Sequence, residues 1–215
     1  MGGIGRSTTA LLVAAAGLAL SVGTANADTT LTNLDAWDGV TRLHPWGRGG
    51  TATYGQVITA TALTDILNGF EFRVNSLGSP IHFLAQVLAW DSAGNHAVGD
   101  PLYSSVPLAL QTTSLQTVHI GTGAVGLTSG RDYVLLLTTN RVAQPSGTGT
   151  ADWGWVMDHV AHGIGVWNNH TGVDANTRTW DGPWVNGSWA FSATFNSAFD
   201  TTLGGATVAV AVPGP

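Results

Sequence analysis

Alternation with a period of two recurs along this chain and limits its fold more than any other property. In Phe70-Glu71-Phe72-Arg73-Val74 the apolar side chains fall on one face and Glu71 and Arg73 on the other, because successive residues of an extended strand point to opposite sides. Glu71 and Arg73 are therefore expected on a solvated face. Trp189, Phe191, Ala193 and Phe195 repeat the pattern against Ala190, Ser192, Thr194 and Asn196. Residues 81–90 and 133–137 are apolar on nearly both faces, which predicts strands in the middle of a sheet, covered from each side. Further strands are expected over 102–108, after Pro101, and over 115–120. Asp91-Ser92-Ala93-Gly94-Asn95 and Ser129-Gly130 supply the turns. No stretch beyond residue 27 keeps the helical period for long, so at most one short helix is expected, at 63–67 or 156–162. The predicted class is all-β: an antiparallel jelly-roll-like sandwich of roughly eight to ten strands, with a closed barrel as the alternative architecture.

The start of the chain reads as an export signal. Arg6 gives a positive segment, Ala10 to Leu20 an apolar one, and Ala25-Asn26-Ala27 a small-residue cleavage site before Asp28. The protein is thus expected to be secreted or displayed at the cell surface, as one domain over 28–211. Cysteine is absent, so no disulfide can brace an exported fold and its stability must come from an apolar core. Lysine is also absent, charged residues make up 9% of the chain, and the net charge is −6. Such a balance argues against nucleic acid or an anionic membrane surface as partner.

Several landmarks, in order, resemble an exported bacterial domain of proteins that carry a PEP-CTERM-type sorting signal. They are Gly55-Gln56, Phe70-Glu71-Phe72, Phe83 through Trp90-Asp91, Gly99-Asp100-Pro101-Leu102-Tyr103-Ser104-Ser105, Leu127-Thr128-Ser129-Gly130 and Asp132-Tyr133-Val134-Leu135-Leu136-Leu137. Trp189 through Phe195 is similar to the closing strand of that module. The resemblance implies a jelly-roll-like sandwich of a surface or matrix protein, with no catalytic motif to transfer. Val212-Pro213-Gly214-Pro215 is similar to the start of the sorting signal, which in the family continues into a membrane-spanning helix. Membrane attachment is expected only where such an anchor follows this sequence.

Candidate binding residues concentrate between Asp152 and Trp189. Trp155, Trp167, Trp180 and Trp184 offer flat apolar surfaces for the C–H face of a sugar, and Asp181 and Asn186 offer hydrogen bonds to hydroxyls. Packing in a core is the competing role for these indoles, and for Trp153 and Trp189 of the same region. His159, His162 and His170, with Asp158, are weak candidates for zinc, because Gly163 and Gly165 disfavour the helix that would align them. Calcium is a second weak candidate, through Asp91, Asn95 and Asp100 or through Asp174, Asn176 and Asp181; turn chemistry explains both sets equally well. No cofactor is otherwise expected. Hydrolysis would need a carboxylate pair such as Asp158 and Asp181, and Asn186-Gly187-Ser188-Trp189-Ala190 does not form a nucleophile elbow. Trp37-Asp38-Gly39 and His44-Pro45-Trp46-Gly47 read as an aromatic loop that either buries Trp37 or Trp46 in the core or, with Trp46 exposed, widens a binding surface. The expected function is non-catalytic binding of neutral polysaccharide. The alternatives are a structural or adhesive module that contacts other surface proteins, and a glycan-active hydrolase.

Overall fold

The computed structural model describes residues 28–47, 50–76, 78–144, 149–156, 163–168, 185–187, 191–196 and 210–211, with backbone alone for 185–187, 196 and 210–211. Within them two antiparallel sheets face each other across a shared core, and the fold is an all-β sandwich rather than a closed barrel. The expected export signal at 1–27 and the segment 212–215 lie outside the described residues.

The first sheet is centred on β4 (Ile66–Ser76). One edge of β4 pairs with β8 (Gln116–Gly126); the other takes two strands end to end, β13 (Phe191–Asn196) and β10 (Thr150–Gly154). Beyond these lie β1 (Thr29–Thr32), on β13, and β2 (Arg42–Gly47), on β10. The second sheet runs β12 (Val185–Gly187), β11 (Gly165–Asn168), β3 (Thr53–Thr59), β9 (Asp132–Thr138) and β5 (Ile81–Asp91). The far edge of β5 is shared by β6 (His96–Ser104) and β7 (Leu108–Leu110), and β14 (Val210–Ala211) pairs with β7.

Fourteen strands are therefore present among the described residues, more than sequence periodicity predicts. The excess has a physical origin. Segments as short as β7 or β12 carry too few residues to display alternation, and single sheet edges are built from two consecutive strands. Pro107 interrupts one such edge between β6 and β7, since it has no N–H for a ladder. Pro45 suggested a loop where β2 forms, but β2 ends its sheet, and an edge strand tolerates proline. β6 likewise contains Pro101 instead of beginning after it. The helix expected at 63–67 is a turn leading into β4. The alternative at 156–162 falls, apart from Val156, outside the described residues.

The period-two residues point where alternation says they should. Phe70, Phe72 and Val74 of β4 and Phe191, Ala193 and Phe195 of β13 enter the main core from the first sheet. From the second sheet come Tyr54, Ile58, Phe83, Ala85, Val87, Leu135 and Leu137. The opposite face of β5 and β9 is apolar as well: Leu88, Trp90, Val134 and Leu136 form a second buried cluster with Val57, Ala97 and Val166. Both strands are thus covered on both faces. Gly55 of β3 belongs to this crowding, because a Cβ there would lie 2.8 Å from Val134 Cγ2 and 2.9 Å from Leu136 Cβ.

Aromatic rings join the sheets. The fully buried Trp153 of β10 lies 5.3 Å from Trp46, 4.5 Å from Phe72 and 5.1 Å from Tyr54 of the opposite sheet, measured between ring centroids. Trp46 in turn meets Phe83 of β5 edge-on at 5.5 Å, and its indole N–H donates to the Ala52 carbonyl at 3.2 Å. Edge-to-face geometry adds to simple burial, because the positive ring edge meets the negative face. Trp153→Ala should cost about 3–5 kcal/mol of folding stability, as truncation of a buried large aromatic does. Equilibrium denaturation with urea checks this; a loss below about 1 kcal/mol would show that Trp153 does not clamp the sheets.

Candidate functional site

One side of the sandwich, where β2 and β10 of the first sheet approach β3 and β11 of the second, gathers half-exposed indoles. Trp167 lies on β11 opposite Tyr54 of β3, and Trp155 follows directly after β10. Both are half-buried and packed against the main core. Because Tyr54 touches Trp153, two residues before Trp155, these indoles border the same aromatic seam from opposite sheets. Their inner edges are held and their outer surfaces meet water.

A third indole joins them from the loop between β1 and β2. Trp37 is half-buried, and its Nε1–H donates to the Thr41 carbonyl at 2.8 Å. The same carbonyl accepts the backbone N–H of Trp155 at 2.9 Å, which ties the loop to the end of β10. Asp38 fastens the turn in between by accepting from the N–H groups of Val40 at 2.9 Å and Thr41 at 2.6 Å, and from the Thr41 hydroxyl. These bonds, the Thr41 hydroxyl first, hold the Asp38 carboxyl below its ordinary value of 3.8. Trp46, by contrast, is fully buried and does not widen the surface.

The outer face of the first sheet carries a charged cluster on β2 and β10. A β-bulge between Ala151 and Trp153 sets Asp152 apart from the regular ladder on the β2 side. Its Oδ1 lies 2.8 Å from His44 Nδ1, its Oδ2 accepts from Arg42 Nη1 at 3.4 Å, and its backbone N–H donates to Asn75 Oδ1 at 2.9 Å. Asp152 is 8% exposed, whereas His44 and Arg42 are 50% and 51% exposed. A buried carboxylate thus positions two heads that remain half in water. A carboxylate-oriented imidazole is one half of an acid–base device, but among the described residues His44 bonds no hydroxyl that it could activate.

Three other described carboxylates are also engaged, whereas Asp65 Oδ1 is buried with no hydrogen-bond partner among the described residues. Glu71 accepts from Arg73 at 3.1 Å and lies 3.7 Å from the His119 ring, so the expected solvated pair is an ion pair with side chains 23% and 20% exposed. Asp132 accepts from Thr59 at 2.7 Å and from Ser92. Asp91, weighed above as a calcium ligand, accepts the Ala93 N–H at 3.0 Å, a turn role.

Of the residues singled out from sequence, Trp155 and Trp167 are each partly buried and packed against the main core. Asn186 is the middle residue of β12, with its backbone opposite Val166. Trp180, Asp181, Trp184, Trp189, Asp158, Asp174, Asn176 and the histidines His159, His162 and His170 lie outside the described residues. Trp153 belongs to the core and to no surface. The cluster of Arg42, His44 and Asp152 was not foreseen: its members stand 110 and 108 positions apart in the chain, and no local pattern connects them. Comparison with protein-family models, with curated proteins and with solved structures finds no match to this chain.

Two measurements check this geometry. Since Asp38 binds its proton less tightly folded than unfolded, the stability it adds is present above its ordinary value and is lost as pH falls through the lower folded value. In a carbon-detected NMR titration the Asp38 midpoint should lie below 3.8 and rise in Thr41→Val; an unchanged midpoint in that variant contradicts the bond. Around Asp152, the double variant Arg42→Ala/His44→Ala should destabilise by about 1–3 kcal/mol, because it strands a buried carboxylate. Asp152→Ala should cost less, since the side chains it releases already stand half in water. The reverse order in urea denaturation would refute that assignment.

Proposed function

We propose that this chain is a non-catalytic exported module that binds neutral carbohydrate along its indole-lined side. The reading rests on one observation: Trp155 and Trp167 border a rigid aromatic seam from two different sheets, each with its inner edge packed and its outer surface in water. Flat, fixed indoles suit the apolar face of a pyranose ring, and they lose little conformational entropy on binding because they are already held. Trp37 extends the same strip. The half-exposed heads of Arg42 and His44, fixed by Asp152, supply donors for sugar hydroxyls next to it.

Export by residues 1–27 and the resemblance to domains of PEP-CTERM-type sorted proteins put such a module at the cell surface or in the extracellular matrix, where neutral polysaccharide is at hand. The low charge of the chain agrees with an uncharged ligand. The engagement of Asp152, Glu71 and Asp132 in structural bonds favours binding over hydrolysis. Trp180, Asp181, Trp184 and Asn186 belong to the same proposal as further ligand contacts.

The full chain, assayed against immobilised neutral glucans, mannans and xylans, should bind at least one of them. Trp155→Ala and Trp167→Ala should each weaken that binding by about tenfold while leaving the thermal midpoint within a few degrees of the parent. Folded variants that bind like the parent would sink the proposal, and so would release of soluble sugars from the polymer, which would identify a hydrolase.

A further inference from the structure

We propose that β8 is a pairing edge for a second copy of this chain, so that the first sheets of two molecules join into one continuous sheet about a two-fold axis. Three features carry the inference, and none depends on the carbohydrate reading.

The first is an open hydrogen-bonding edge. β8 pairs with β4 along one side, from Gln116 to Gly126, and among the described residues no backbone bond engages its other side. Among the described residues, its outer row of N–H and C=O groups thus has no backbone partner, the condition under which another strand can add. The regular part ends at Gly123 and Ala124, whose φ angles of 69° and 68° turn the backbone away, leaving 116–122 as the extended stretch.

The second is the absence of the usual guards. Edge strands normally carry charge or proline, which blocks pairing with other chains. β6, the neighbouring edge of the second sheet, has both in Asp100-Pro101, and Gly99 bends it at a φ of 75°. β8 has no Asp, Glu, Lys, Arg or Pro.

The third is charge, and it selects the occupant. The chain has a net charge of −6, so two copies repel over most of their surfaces. Yet the run 101–130, between Asp100 and Arg131, contains no Asp, Glu, Lys or Arg. This run includes the end of β6, all of β7 and all of β8, and β6 and β8 lie next to each other on one side of the sandwich. Two copies can therefore meet through this side without opposing like charges. Leu102 and Val106, 50% and 64% exposed, add apolar surface from the same run. A two-fold axis perpendicular to the sheet reverses strand direction, so β8 would meet its mate antiparallel, with each residue making the same contact twice. The buried Val118 and Ile120 would continue the core across the junction, and Thr117 and His119 would line its outer face.

Sedimentation velocity of the full chain over a range of concentrations tests the inference. The parent should form a two-chain species, Thr117→Lys should weaken it by about tenfold or more, and Thr30→Lys, an exposed position on the β1 edge, should leave it unchanged. Amide hydrogen exchange on the parent gives a second readout that needs no variant: protection over 116–122 should rise with protein concentration. A parent that stays single-chained at about 100 µM, a dimer that folded Thr117→Lys leaves intact, or protection independent of concentration would each overturn the proposal.

Discussion

The contact of Trp153 with both sheets is the interaction on which the rest of the structure depends. A chain without cysteine has no covalent brace, and sheets packed face to face hold together only through what fills the space between them. Here that space is filled along one line by rings: Phe72, Trp153 and Trp46 from the first sheet, Tyr54 and Phe83 from the second. Aromatic side chains bury the most area for the fewest frozen torsions, which suits a domain with few charges and no disulfide.

The same seam makes the proposed binding side. Trp155 and Trp167 are partly buried against the same core, which restrains their packed edges. Asp152 performs the parallel task on the outer face, where a nearly buried carboxylate fixes the directions of Arg42 and His44. Both arrangements hold flat or polar groups in place at low entropic cost, which is what the proposed recognition of an uncharged, hydroxyl-rich polymer requires. The opposite side of the sandwich, without Asp, Glu, Lys or Arg from 101 to 130, is the side proposed for contacts between copies, and multiple copies would multiply weak sugar contacts into avidity.

Much of the fold was legible from the chain because burial imposes a period on strands. Phe70 to Val74 announced β4, and residues apolar on both faces announced β5 and β9 as the middle of their sheet. Short strands escaped notice, because three or four residues cannot show a period. β2 was hidden by Pro45, whose meaning depends on whether a strand is central or at an edge. The site was less legible than the fold. Composition marked the region of Asp152 to Trp189 as rich in indoles but could not sort the buried Trp153 from the half-exposed Trp155, since the difference lies in how the folded neighbours cover each ring. Asp152, His44 and Arg42 meet only through the pairing of β2 with β10, a contact between distant parts of the chain.

The most direct test of the account is hydrogen exchange at individual indole N–H groups, followed by NMR as urea concentration rises. If Trp46 and Trp153 are the clamp between the sheets, their N–H protons exchange only through global unfolding, and their opening free energies fall with urea in step with the stability of the whole domain. Exchange at Trp153 that is fast and insensitive to urea would mean that its ring leaves the core while the fold persists, and the account would be wrong.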